Sequence, residues 1–138
     1  MKLKFNDIED AFMFVGSEQN GMHSAYLCPA TGRIYYISEM AGIDEAEEEG
    51  VDVDECFFIP HKNELDLGRR LVFKYAMRRL PGEYEQVEQI FRKRGAYRLF
   101  KDFLDTRGLL SDWYEFETEC TERAIRQWCT DNDITLMD

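Results

Sequence analysis

The apolar residues of this 138-residue chain change their spacing at Pro60. Before it, "SAYLC" (24–28), "RIYYIS" (33–38) and "ECFFIP" (55–60) are short stretches dense in aromatic and β-branched residues, the composition of strands. After it, apolar residues recur every three or four positions, the period of amphipathic helices. Strands that cluster early and helices that cluster late give the order of an α+β fold. The chain has the length of one ordinary domain, 1–138, with a helix and small antiparallel sheet in 1–60 and a helical part of about four helices in 61–138. A hydrophobic fraction of 44% with 14% aromatics is enough to build a core, which excludes a disordered chain.

Local signals place the elements. A first helix is expected over 6–15, with Asn6 as its cap, Glu9 at the capping-box position, Ile8, Phe12 and Val15 on one face, and Gly16 as its stop. "PATG" (29–32) joins the first two strands as a hairpin turn in which Gly32 supplies the positive φ. Asp66 is the expected cap of a helix running to Leu80, where Pro81 and Gly82 end it. A second helix follows over 83–94 with Val87, Ile90 and Phe91 inward, then a third that Gly108 ends. Ser111 caps a last one, with Trp113, Phe116, Cys120, Ala124 and Trp128 as its stripe. Phe100 and Trp128 are expected to share one helical core.

The stretch "RKRGAYRLFKDFL" (92–104) holds five basic residues within this helical region. On a wheel of 100° per residue, Ala96, Tyr97, Leu99, Phe100, Phe103 and Leu104 fall within about 160°, and Arg94, Arg98, Lys101, Asp102 and Asp105 within about 100° opposite. That division describes a packed core helix with a narrow charged strip, supported by Arg98–Asp102 and Lys101–Asp105 at i,i+4. Gly95 is placed to end the preceding helix in the left-handed conformation.

Charge is unevenly spread: residues 39–66 carry eleven acids and one base, and 67–101 carry ten bases and three acids, within a net charge of −11. The run "DEAEEEGVDVDE" (44–55) reads as a solvated loop or frayed helix. A nucleic-acid surface would use Arg70, Lys74 and Arg78, stacked at i, i+4 and i+8, together with Arg94, Arg98 and Lys101. Tyr75 and Tyr97 would then be the stacking residues. The overall acidity opposes phosphate binding, and the basic block could equally pair with the protein's own acidic segment.

Catalytic groups do not emerge. His23 beside a strand and His61 after a proline read as structural, "GSEQNG" (16–21) lacks the lysine of a phosphate loop, and "DVDE" (52–55) lacks the order of a calcium loop. Cys120 and Cys129, nine residues apart, sit about 180° apart on a helix and cannot bridge. Cys28 and Cys56 could meet only if their strands are neighbours, and free buried thiols are expected. No zinc spacing is present, so neither metal nor cofactor is expected. No apolar run nears the roughly 18 residues of a membrane span, and the N-terminus lacks a signal core. A cytoplasmic protein with no membrane partner is the expectation.

"GAYRLFKDFL" (95–104), "WYEFE" (113–117) and "ERAIRQWC" (122–129) together resemble a bacterial family of uncharacterised proteins. Its members carry a Gly-Ala-aromatic-Arg-x-Phe-Lys-Asp run, then Trp-Tyr-x-Phe, then Ala-Ile-x-x-Trp. The resemblance covers 95–129 and implies no activity, cofactor or catalytic residue. By elimination the sequence points to a protein-interaction or regulatory module, with nucleic-acid binding through the basic block 69–101 as the alternative.

Overall fold

A computed structural model of the chain describes residues 1–137. The fold is α+β, and its contacts divide the chain into two compact units: Met1–Leu65 joined by the chain from Glu122 on, and Asp66–Thr121. The boundary therefore does not fall at Pro60 alone, because the C-terminal segment returns to the N-terminal unit. Two strands too short to show a period achieve that return. β1 (Lys2–Lys4) pairs in parallel with β6 (Thr135–Met137), Lys2 opposite Thr135 and Lys4 opposite Met137.

β1 runs directly into α1 (Phe5–Gly16), so Lys4 stands at the cap position and no side chain caps the helix. Asn6 lies inside the first turn, which corrects its expected role. Gly16 is the last helical residue and not the stop; the Ser17 hydroxyl, just beyond, donates to the Phe14 carbonyl at 2.7 Å. Ile8, Ala11, Phe12 and Val15 are buried, as the spacing of the apolar positions requires.

The main sheet has the order β4 (Ile43–Asp44), β3 (Arg33–Ser38), β2 (His23–Cys28), β5 (Phe57–Phe58), and every pairing is antiparallel. The β2–β3 hairpin forms as expected, with Gly32 at φ +70° and its N–H donating to the Cys28 carbonyl at 2.8 Å. β5 is shorter than "ECFFIP", and β4 is an addition. Alternation along the strands makes two different faces. Ala25, Leu27, Ile34, Tyr36 and Phe57 join the cluster that holds α1, Ile125 and Cys129. On the other face, Cys28, Tyr35, Ile37 and Cys56 pack with Ala46, Val51 and Val53 of the acidic run.

That run is therefore neither loop nor frayed end. It contains β4, then α2 (Glu45–Glu48), then a 3₁₀ turn at Val53–Glu55. Its acids do specific work: the Asp44 carboxylate accepts from the Glu47 N–H at 3.0 Å, and Asp52 from the Asp54 N–H at 3.0 Å. Carboxylates at the starts of helical turns satisfy unpaired N–H groups and meet the positive end of the peptide dipoles. Ala46 and the two valines supply the apolar contacts that hold the segment on the sheet.

The second unit consists of α3 (Arg69–Arg79), α4 (Tyr84–Ile90), α5 (Ala96–Asp105) and the first half of α6 (Leu110–Asp131). Its core is aromatic: Phe100 is fully buried between Phe91 and Trp113, with ring centroids 5.6 and 5.2 Å away, and Tyr75 lies 5.2 Å from Trp113. Gly68 occupies the cap position of α3, while Asp66, at φ +58°, accepts from Arg70 at 3.2 Å instead of capping the helix. α4 stops at Ile90, short of Arg94. The next N–H groups, of Arg92 and Lys93, reach back only three residues, to Gln89 and Ile90, and this tightening ends the helix. Ser111 lies within the first turn of α6 and is not its cap.

Gly95, at φ +66°, precedes α5 in the left-handed conformation. A Cβ there would meet nothing closer than the Arg98 side chain at 3.9 Å. The cost of Gly95→Ala is therefore conformational rather than steric, and it should lower stability by about 1–2 kcal/mol. Denaturant unfolding measures this directly.

On α5 the inward set is narrower than the wheel arc. Ala96, Phe100 and Leu104 are buried, whereas Tyr97 is 41% exposed. Along α6 the packed positions change. Trp113, Phe116 and Cys120 belong to the aromatic core, and Ile125 and Cys129 are the buried residues of the later part. Trp128 packs with Phe12 and Phe57 in the sheet-containing unit, so the expectation that Phe100 and Trp128 share a core is overturned. Among the described residues no helix is long and apolar enough to cross a membrane.

Candidate interaction surface

All six basic residues singled out in the sequence belong to the helical unit. Arg70, Lys74 and Arg78 are exposed along one stripe of α3, opposite its buried Leu71, Val72, Tyr75 and Ala76. Arg94, in the α4–α5 turn, and Arg98 and Lys101 on α5 are exposed as well. The structure does not bring the two sets together. Arg78 reaches the Phe116 ring, 6.0 Å from its centroid, and Lys101 reaches Tyr114, 5.7 Å from its centroid. Those two rings are neighbours-but-one on α6, hence about 160° apart around its axis. The α3 stripe and the α5 set lie on different sides of this helix.

Acids are interspersed with these bases. Residues 66–121 hold eleven bases and ten acids, close to neutrality. Arg70 pairs with Asp66, Arg79 with Asp112 at 3.2 Å, and Arg107 with Glu83. The pairs expected on α5 do not form: neither Arg98–Asp102 nor Lys101–Asp105 closes into an ion pair, and Lys101 turns to Tyr114 instead. Glu49 of the acidic run pairs with Arg33 of β3 at 3.3 Å, so each segment finds a partner within its own unit.

Of the two tyrosines proposed for stacking, Tyr75 is excluded. It is fully buried and its hydroxyl donates to Asp112 at 2.8 Å; burial first, and then this hydrogen bond, raise its pKa well above the ordinary value. Tyr97 is different. It stands edge-on to Phe91 at 5.1 Å with much of its ring in solvent, and burial of the remainder pushes its hydroxyl pKa up. Tyr114, 43% exposed, carries the Lys101 ammonium over its ring. Tyr97 and Lys101 are i,i+4 on α5 and share a face. Tyr97, Lys101 and Tyr114 thus form an aromatic–cation surface, with Glu117 close enough to Tyr97 to act on it electrostatically. Tyr114 was missed in the sequence because "WYEFE" was read only for its inward residues.

Both histidines have structural roles. His23 stacks on Phe14 at 4.3 Å, with Nδ1 3.1 Å from the Phe14 carbonyl. His61 is 2% exposed; its Nδ1 accepts from the Asn63 N–H at 3.1 Å, so Nε2 carries the proton and donates to the Glu18 carbonyl at 2.8 Å. Among the described residues there is no group of three His, Cys, Asp or Glu arranged to hold a metal. An open cleft of about 300 Å³ beside α1 and β3 presents Asp7, Asp10, Arg33 and Tyr36, and burial followed by the nearby carboxylates raises the Tyr36 pKa. It offers charge of both signs.

Compared with protein-family models, curated proteins and solved structures, the chain matches none of them.

Proposed function

We propose that the protein is a non-catalytic interaction module that presents Tyr97, Lys101 and Tyr114 to a partner protein. The observation that carries this reading is the pair of half-exposed tyrosine rings braced by a lysine on two packed helices. Rigid aromatic surface costs little entropy to bury, and Tyr is enriched at protein interfaces. Nucleic acid is the second choice as partner. Arg94 and Arg98 flank the exposed Tyr97, which suits a stacked base, but the split of the basic residues across two sides of α6 leaves no continuous track for a phosphate backbone. A cytoplasmic setting goes with this reading, since all four cysteines are free thiols, the usual state in a reducing compartment.

The test is affinity purification from the native host, comparing the wild type with Tyr97→Ala/Tyr114→Ala. Both rings are only partly buried, so the double variant should still fold, with a lowered melt that is measured before capture is compared. Loss of interface tyrosines that act as hot spots costs about 2 kcal/mol or more each, so the captured protein should fall by at least tenfold. Equal capture by both forms would reject this surface. A nuclease-sensitive partner with a high 260/280 absorbance ratio, lost with Arg94→Ala/Arg98→Ala, would replace the protein reading by the nucleic-acid one.

A further inference from the structure

The second face of the sheet brings two thiols together. β2 and β5 pair with Tyr26 opposite Phe58 and Leu27 opposite Phe57, and one step further this register sets Cys28 opposite Cys56. The Ile59 N–H donates to the Ala25 carbonyl at 3.0 Å, which makes Ala25–Ile59 a hydrogen-bonded pair. By alternation Leu27–Phe57 is another, and Cys28–Cys56 is a non-hydrogen-bonded position. Facing Cα atoms at such positions are about 4.5 Å apart with side chains close, within the roughly 4.4–6.8 Å that a disulfide spans. Both thiols belong to one packed cluster on this face, and the Cys56 thiol donates to the Asp52 carbonyl at 3.5 Å.

Their surroundings differ. The backbone of Thr31 in the hairpin turn after Cys28 is the main cause that holds this thiol below its ordinary pKa, against the opposing effect of burial. Burial pushes the Cys56 thiol up to about 11. A lowered pKa brings Cys28 nearer the reactive thiolate form, while its neighbour stays protonated. Cys28 is 6% exposed, and Cys56, on the same face, is half-buried.

We propose that Cys28 and Cys56 form a reversible redox site at which a hydroperoxide closes a disulfide. The Cys28 thiolate attacks the terminal peroxide oxygen; the S–O bond forms as the O–O bond breaks, and hydroxide or alkoxide leaves and takes a proton. The Cys28 sulfur, oxidised by two electrons, is then a sulfenic acid. The Cys56 sulfur displaces its hydroxyl, which leaves as water with the Cys56 proton, and the S–S bond forms. Two thiols and one peroxide thus give a disulfide, water, and a second water or an alcohol. The bond encloses residues 29–55, the hairpin and the whole acidic run. It fastens that run to the sheet, so its consequence is a change in how firmly the acidic surface is held.

The experiment treats the full chain with hydrogen peroxide, alkylates the remaining thiols and maps peptides without reduction. Two of the four thiols should be lost, in one Cys28–Cys56 linked peptide, and dithiothreitol should restore both. In Cys56→Ser, oxidation should stop at a Cys28 sulfenic acid that dimedone traps, while Cys28→Ser should leave Cys56 alkylatable at the same peroxide dose. Four alkylatable thiols after peroxide in excess, or oxidation of Cys120 or Cys129 ahead of the pair, would overturn the proposal. Because the wild type is read directly, the result stands even if a serine variant folds poorly.

Discussion

Phe100→Ala should lower stability by about 3–5 kcal/mol, the range for removing a buried aromatic ring that neighbours cannot replace. Phe100 has no solvent exposure and is held edge-on between Phe91 and Trp113. Rigid rings on both sides relax poorly, so the cavity persists and the effect belongs at the upper end of the range. For a chain of this length the melting temperature should fall by roughly 10 °C or more. The chain has two tryptophans, one in each unit, which allows the damage to be located. In a Trp128→Phe background the remaining Trp113 reports on the helical unit, and Phe100→Ala should shift its emission to the red. A melt displaced by less than a couple of degrees would mean that Phe100 is not central to this core.

The change of period at Pro60 was readable because a helix of ten residues repeats its apolar face several times, and the repeats reinforce one another. β1, β4 and β6, of two or three residues, contain no repeat and are defined only by their pairing partners, which for β1 and β6 lie at opposite ends of the chain. The acidic run was misread for a related reason. Its composition suggests solvation, but Ala46, Val51 and Val53 decide its packing, and Asp44 and Asp52 act as caps, which a count of charges does not register. On α6 a single stripe was traced through Trp113, Phe116, Cys120, Ala124 and Trp128, although Ile125 and Cys129 become the buried residues after Thr121. Near the changeover Ala124 and Ile125 stand side by side, one continuing the old stripe and the other starting the new, so periodicity alone could not choose between them.

The candidate surface was legible in part. Arg98 and Lys101 were correctly placed on the outward strip of α5, and the exposed stripe on α3 follows from its i,i+4 spacing. Tyr97 was assigned inward because its wheel position adjoins Ala96 and Phe100, and only the packing of Phe91 against one edge of the ring leaves the other edge in solvent. That the basic residues separate into two sets depends on which ring of α6 each cation reaches, a tertiary fact. The facing of Cys28 and Cys56 is of the same kind. The sequence poses it as a condition on strand neighbours, and the β2–β5 register meets that condition.

Phe12→Ala should be the equally damaging change in the sheet-containing unit, at about 3–5 kcal/mol. Phe12 projects from the buried face of α1, is 5% exposed, and meets Trp128 edge-on, with centroids 5.4 Å apart and planes at 81°. Trp128 also packs edge-on to Phe57 of β5 at 6.2 Å, so its indole links the first helix, the last helix and the sheet within one cluster. Edge-to-face geometry adds about 0.5–1.5 kcal/mol beyond the area buried. Phe12→Leu, which keeps most of the apolar volume but loses the ring edge, should therefore retain more than half of the stability that Phe12→Ala removes. In a Trp113→Phe background, Phe12→Ala should move Trp128 emission to the red and shorten amide protection along α1. If Trp128 emission is unchanged while the melt still falls, the ring contact is not what anchors the returning C-terminal segment, and the β1–β6 pairing must hold it instead.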